Sequence, residues 1–152
     1  MNYIDNFREI YNGDPWLGES YAEKLKDVTE AEAFTPPMKD VHSIAELIAH
    51  VIYWRSPIIK ALKGERDYVG KMDSPENWPT LDELKAKGWM KLLEEFDQSQ
   101  ADLVTLLKSA KPQFFMGDYK PGVSWERLVE GVHQHDIYHL GQLALVKKMI
   151  RM

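Results

Sequence analysis

Apolar residues recur at three- and four-residue spacing in four long stretches of the chain, and the strict alternation of a half-buried strand is scarce. The first stretch opens at Asp14-Pro15-Trp16, where Asp14 suits an N-cap and Pro15 a first helical position, and its stripe is Leu17, Tyr21, Leu25 and Val28. A short helical piece from about Ile4 to Tyr11, closed by Asn12-Gly13, is expected before it, and a loop around Pro36-Pro37 after it. The second stretch opens with the capping-box pattern Ser43-Ile44-Ala45-Glu46 and runs to Lys63, where Gly64 supplies the stop. Pro57 lies inside it and is expected to kink or shorten the helix. The third opens with another capping box, Thr80-Leu81-Asp82-Glu83. It runs to about Ser109 on the stripe Leu84, Leu92, Phe96, Leu103 and Leu107, with Gly88 a local weak point. Lys111 to Val123 holds two Pro and two Gly and reads as loop. The fourth stretch runs from Ser124, a candidate N-cap, to about Ile150. Four amphipathic helices with long second and third connections predict an all-α fold, an antiparallel four-helix bundle. A doubly wound sheet would need strand runs between the helices, and the sequence has none.

Composition narrows the function. A chain of 152 residues fits one domain spanning 1–152 and buries enough surface to fold without a staple. It has no cysteine, which excludes disulfides, iron–sulfur clusters, cysteine zinc sites and a thiol nucleophile of its own. With 19 basic and 24 acidic residues the net charge is -5, which argues against a nucleic-acid partner. Five Trp, seven Tyr and five Phe argue against disorder. The N-terminal residues carry charges and no apolar core of a signal peptide, and no run approaches the roughly 18 apolar residues of a membrane span. A cytoplasmic location is the expectation.

The fourth helix carries the chemistry. Its stripe steps through Leu128, Val132, His135, His139, Leu143, Val146 and Ile150, so two inward positions are imidazoles, and their i,i+4 spacing puts them on one face. On the second helix the stripe is Leu47, His50 or Val51, Trp54, Ile58 and Leu62, with His50 at its edge. Three neutral imidazoles converging from two helices suit a divalent metal: Zn–N distances are about 2.0–2.1 Å, and three ligands leave a position open. Such a site can act as a Lewis acid or lower the pKa of a bound water or thiol. The other reading is a set of hydrogen-bonded histidines in an apolar core. His133, two residues from His135, is expected at the surface or rim, and His42 in a loop. His135-Asp136 gives H-D-x-x-H, close to the zinc-protease H-E-x-x-H, but Asp is one methylene shorter than the Glu base that motif needs. Metal phosphohydrolases of the HD type need a further downstream Asp, and none follows position 136.

Three stretches, Tyr11–Ser20 (YNGDPWLGES), His42–Trp54 (HSIAELIAHVIYW) and Gly131–Lys148 (GVHQHDIYHLGQLALVKK), resemble the DinB-like (YfiT-related) superfamily of small metal-binding four-helix proteins. The run His135, His139, Gly141, Gln142 is the most specific element, and the likeness extends through the Pro36-Pro37 loop and the Trp89 region. The resemblance implies a metal, zinc or nickel, held by His50, His135 and His139 with water completing the shell, and pairing of chains as homodimers. Glu130 stands where related chains often carry another His. Relatives include transferases that use bacillithiol or mycothiol and a thiol-dependent maleylpyruvate isomerase, while others are termed metal-dependent hydrolases by analogy. The implied function is therefore a metal-dependent thiol S-transferase or hydrolase on a small-molecule substrate, any thiol arriving as a low-molecular-weight cosubstrate. Gln142, Tyr138 and Asp136 are candidates to touch the ligands or the substrate; Asp136 is equally a solvated helix residue, and Trp54 either walls the pocket or packs in the core. Two other classes remain open: a non-catalytic metal-binding stress-response module and a structural or dimerisation bundle.

Overall fold

The computed structural model describes residues 3–152. The chain begins with α1 (Tyr3–Asn12), which buries Phe7 and Ile10 and is closed where the Gly13 N–H reaches the carbonyls of Arg8 and Glu9. This short piece, and not the segment opening at Asp14, supplies the first helix of the bundle. Gly18 at φ +88° interrupts that segment, and Ser20 caps a new short helix, α2 (Tyr21–Leu25), by accepting the Glu23 N–H. The expected stripe survives only where it follows the cap: Tyr21 and Val28 are buried, while Leu17 and Trp16 lie exposed. A third short helix, α3 (Glu30–Ala33), is held by a Thr29/Glu32 capping box.

Helix α4 (Ile44–Leu62) starts at the expected Ser43 capping box and passes through Pro57 without ending. Proline removes the N–H that the Tyr53 carbonyl would accept. The Ser56 hydroxyl donates to that carbonyl instead, at 2.7 Å, so the helix loses a backbone bond and leaves no bare oxygen. The third predicted helix is two: α5 (Leu81–Lys87) and α6 (Trp89–Ser109) meet at Gly88, whose φ +88° and ψ 148° lie outside any helix. Between 110 and 124 the chain forms α7 (Pro112–Phe115) and a small antiparallel pair, β1 (Asp118–Lys120) with β2 (Val123–Ser124), where the sequence suggests only loop. Ser124 then caps α8 (Trp125–Ile150).

Helices α6 and α8 each pack against both α1 and α4, which places α1 and α4 on a diagonal of the four-helix arrangement. The fold is all-α apart from the small hairpin. One core cluster joins α4, α6, α8 and the α2–α3 segment through residues such as Ile44, Ile48, Phe96 and Leu143. A second, around Phe7, Ile58, Leu103 and Val129, fills the space beside α1. No helix among the described residues is long and apolar enough to cross a membrane.

Candidate metal centre

Helices α4 and α8 lie side by side, so the inward edge of one faces the imidazole stripe of the other. His50 comes from the middle of α4, and His135 and His139 from successive turns of α8. One ring nitrogen from each lies within 4.8 Å of the other two. The Nε2 atoms of His135 and His50 are only 3.0 Å apart. Two nitrogens bound tetrahedrally to one zinc ion at about 2.0–2.1 Å would be roughly 3.3 Å apart, so this pair needs to part by only a few tenths of an ångström.

Hydrogen bonds behind the rings set which nitrogen is bare. His50 donates from Nδ1 to the main-chain carbonyl of Asn77 at 3.0 Å, and His139 from Nδ1 to the Gln142 side-chain carbonyl at 2.6 Å. Both bonds leave Nε2 as a lone pair. Fixing the tautomer through the outer nitrogen is how metal-binding histidines are oriented. Burial, and then the charge of neighbouring imidazoles, pushes both His50 and His139 down to about 4. Both rings are therefore neutral at neutral pH, the form a metal requires. Two bare Nε2 atoms facing a third imidazole are compatible with a divalent cation; in a hydrogen-bonded core His135 Nε2 would donate to His50 Nε2 instead.

The His50 ring also stacks on Trp78, with centroids 3.8 Å apart and planes within 11°, and His42 stacks on the same indole at 3.8 Å and 6°. Two imidazoles that close to one indole cannot share a face without overlapping, so Trp78 is clamped between them. Asn77 is buried and locks this loop: its side-chain oxygen accepts Trp54 Nε1 at 2.9 Å and its amide donates to the Met72 carbonyl at 2.8 Å. His42 is a loop residue as expected, but its Nδ1 pairs with Glu46 Oε1 at 3.1 Å and its ring borders the site.

The three imidazoles line a cavity of about 510 Å³, walled by Trp54, Leu128, Val132, Tyr138 and Gln142. Tyr138 is 63% exposed and its ring meets His139 edge-on at 5.0 Å. Trp54 is half-buried in the cavity wall, its Nε1 bound to Asn77, and is not among the residues of the core clusters described above.

Asp136 is neither solvated nor in the cavity. It is fully buried behind His135, where Oδ2 accepts Arg55 Nε at 2.9 Å and lies 2.8 Å from Arg55 Nη2. Arg55 is equally buried, donates to Ser99 Oγ at 3.0 Å and lies over the Phe96 ring. Tyr21 donates its hydroxyl to the Asp136 main-chain carbonyl at 2.7 Å. Asp136 Oδ1 and His135 Nδ1 are both buried without a hydrogen-bond partner and stand 4.0 Å apart, too far for a bond between them. His133 is not at the surface: it is half-buried, edge-on to Phe7 at 5.3 Å, away from the three rings. Glu130 pairs with Arg127 at 3.5 Å and stays out of the cavity. Sequence reasoning missed Trp78, Asn77 and Arg55, none of which stands in a motif; two prolines, Pro75 and Pro79, bracketing Asn77-Trp78 are the only local sign of a fixed loop.

Family comparison matches residues 18–143 to the DinB superfamily. No curated protein and no solved structure gives a significant match. The matched span holds all three imidazoles, the Trp78 loop and the buried Arg55–Asp136 pair, so it covers the whole of the site described above. A match over that share of the chain is a family relationship, and the protein belongs to the DinB superfamily.

Proposed function

We propose that His50, His135 and His139 hold one divalent ion, zinc or nickel, and that the protein uses it on a small-molecule substrate, by hydrolysis or by transfer of a low-molecular-weight thiol. The observation that carries this reading is the meeting of three imidazole nitrogens, two of them fixed as lone pairs, at the wall of an open cavity of about 510 Å³. An ion in a three-imidazole site supplies Lewis acidity and lowers the pKa of a water or thiol bound to it. The chain's own side chains do the rest. The Asn77 carbonyl and Gln142 hold two of the rings at their outer nitrogens. Trp78 keeps the His50 plane from turning. Leu128 and Val132 exclude water from one wall, and Tyr138 and the Gln142 amide offer neutral donors to a substrate. No carboxylate lines the cavity among the described residues, and the one further imidazole in its lining, His42, lies across the Trp78 indole from His50 with its Nδ1 held by Glu46.

A non-catalytic metal-binding module would use the same three histidines, and the cavity beside them is what weighs against it. Protein loaded with zinc or nickel, offered a panel of esters, lactones and amides and a panel of thiols with an aryl halide electrophile, decides between the two. Turnover on either panel that disappears in His139→Ala is expected. Metal retained with no turnover on either panel would leave binding alone and overturn the catalytic part.

A further inference from the structure

The lining of the histidine cavity contains no Asp, Glu, Lys or Arg. The chain makes that unusual, because 28% of its residues are charged. A second cavity of about 440 Å³ against another face of α4 has Lys60, Lys87, Glu76, Glu83 and Glu95 in its walls. The nearest buried carboxylate to the three rings, Asp136, is already neutralised by Arg55. His42, the one further imidazole in the lining, has its Nδ1 on Glu46.

Two consequences follow from these charges, resting on the metal reading above. Three imidazoles leave one position of a tetrahedral ion open, so the site takes one donor atom from its ligand, and the ion's unmet charge favours an anionic one. Elsewhere the walls are the apolar surfaces of Leu128, Val132, Met72 and Trp54, with only Tyr138 and Gln142 as neutral polar groups. A second ionised group held against these walls, out of contact with the ion, would give up water and meet no Lys or Arg, which is costly beside apolar surface. We propose that the cavity selects ligands with one metal-seeking anionic donor on an otherwise uncharged, largely apolar or aromatic body. It selects against thiols such as glutathione that carry further carboxylates.

The test uses zinc-loaded protein and two thiols that share the donor atom and differ in the body: phenylmethanethiol and glutathione. Calorimetric titration should show phenylmethanethiol binding at least roughly tenfold more tightly, the difference coming from apolar contact and from the absence of unpaired charge. Met72→Arg supplies the missing cation at a residue 74% exposed, where the fold tolerates it. That variant should bind glutathione more tightly than the wild type does. Glutathione binding as tightly as phenylmethanethiol in the zinc-loaded wild type, or neither thiol binding, would overturn this proposal alone. A chain that does not retain zinc would overturn the metal reading, and this one with it.

Discussion

Gln142 holds His139 through a hydrogen bond from ring Nδ1 to its side-chain carbonyl, and its own side chain is half-buried at the cavity wall. Removing such an outer partner of a metal-binding histidine usually weakens metal affinity by about 10–100-fold. Gln142→Ala should show a loss of that order in a competition titration against a chelator, with an unchanged melting curve for the metal-free protein. Gln142→Glu keeps an acceptor at the same place and should retain the affinity. The same scale shows what the sequence could offer about the site. His135 and His139 share a face by spacing alone, and Gln142 follows one turn on, so half of the constellation is local and legible. His50 sits 85 residues away from His135, and its place beside them follows from family likeness and from packing. Trp78 and Asn77 come from a loop without periodicity, and their contacts with His50, His42 and Trp54 exist only once the chain has folded.

At the scale of elements, local signals succeeded where a side chain acts on its own backbone. The capping boxes at Ser43 and Thr80 start α4 and α5 where their pattern says. They misled where two signals compete: Asp14-Pro15 resembles a helix start, but Ser20 caps the real one and Gly18 turns the chain between them. Gly88 gives a test of the same kind. In one continuous helix, Gly88→Ala would stabilise by about 1 kcal/mol. At φ +88° and ψ 148°, with nothing near its absent side chain, the strain is purely one of backbone, and the variant should instead be destabilised by roughly 1–3 kcal/mol in urea unfolding. The Arg55–Asp136 pair was illegible for another reason: ionised residues are mostly solvated, and nothing in sequence marks the exception. Breaking a fully buried pair from one side leaves a bare charge, so Asp136→Ala should cost about 3–5 kcal/mol, and Arg55→Met with Asp136→Leu should recover much of it.

Across the whole molecule, the end of α8 is tied back to α3 and the turn before it. Arg151 donates to Asp27 and to Glu32 at 2.7–3.1 Å, and Lys147 also pairs with Asp27. Lys147 and Arg151 hold the Asp27 carboxyl at about 2, and Arg151, with the Thr29 backbone, holds Glu32 at about 2, below their ordinary 3.8 and 4.5. Because the folded values are depressed, the stabilisation is present above the ordinary values and is lost as pH falls through 2. The melting temperature of Arg151→Ala should therefore lie below that of wild type at pH 6, with the gap closing as pH is lowered toward 2. An ion held at the proposed site by the folded chain alone should raise stability by about 4 kcal/mol at a thousandfold excess over its dissociation constant, and chelation should reverse it.

The proposed metal site stands on three imidazoles from two helices acting together. Elemental analysis of tag-free protein, wild type beside His139→Ala, tests it most directly. The wild type should hold about one zinc or nickel ion per chain, and the variant should retain none. Wild type without metal, even after reconstitution with zinc and with nickel at neutral pH, would contradict it.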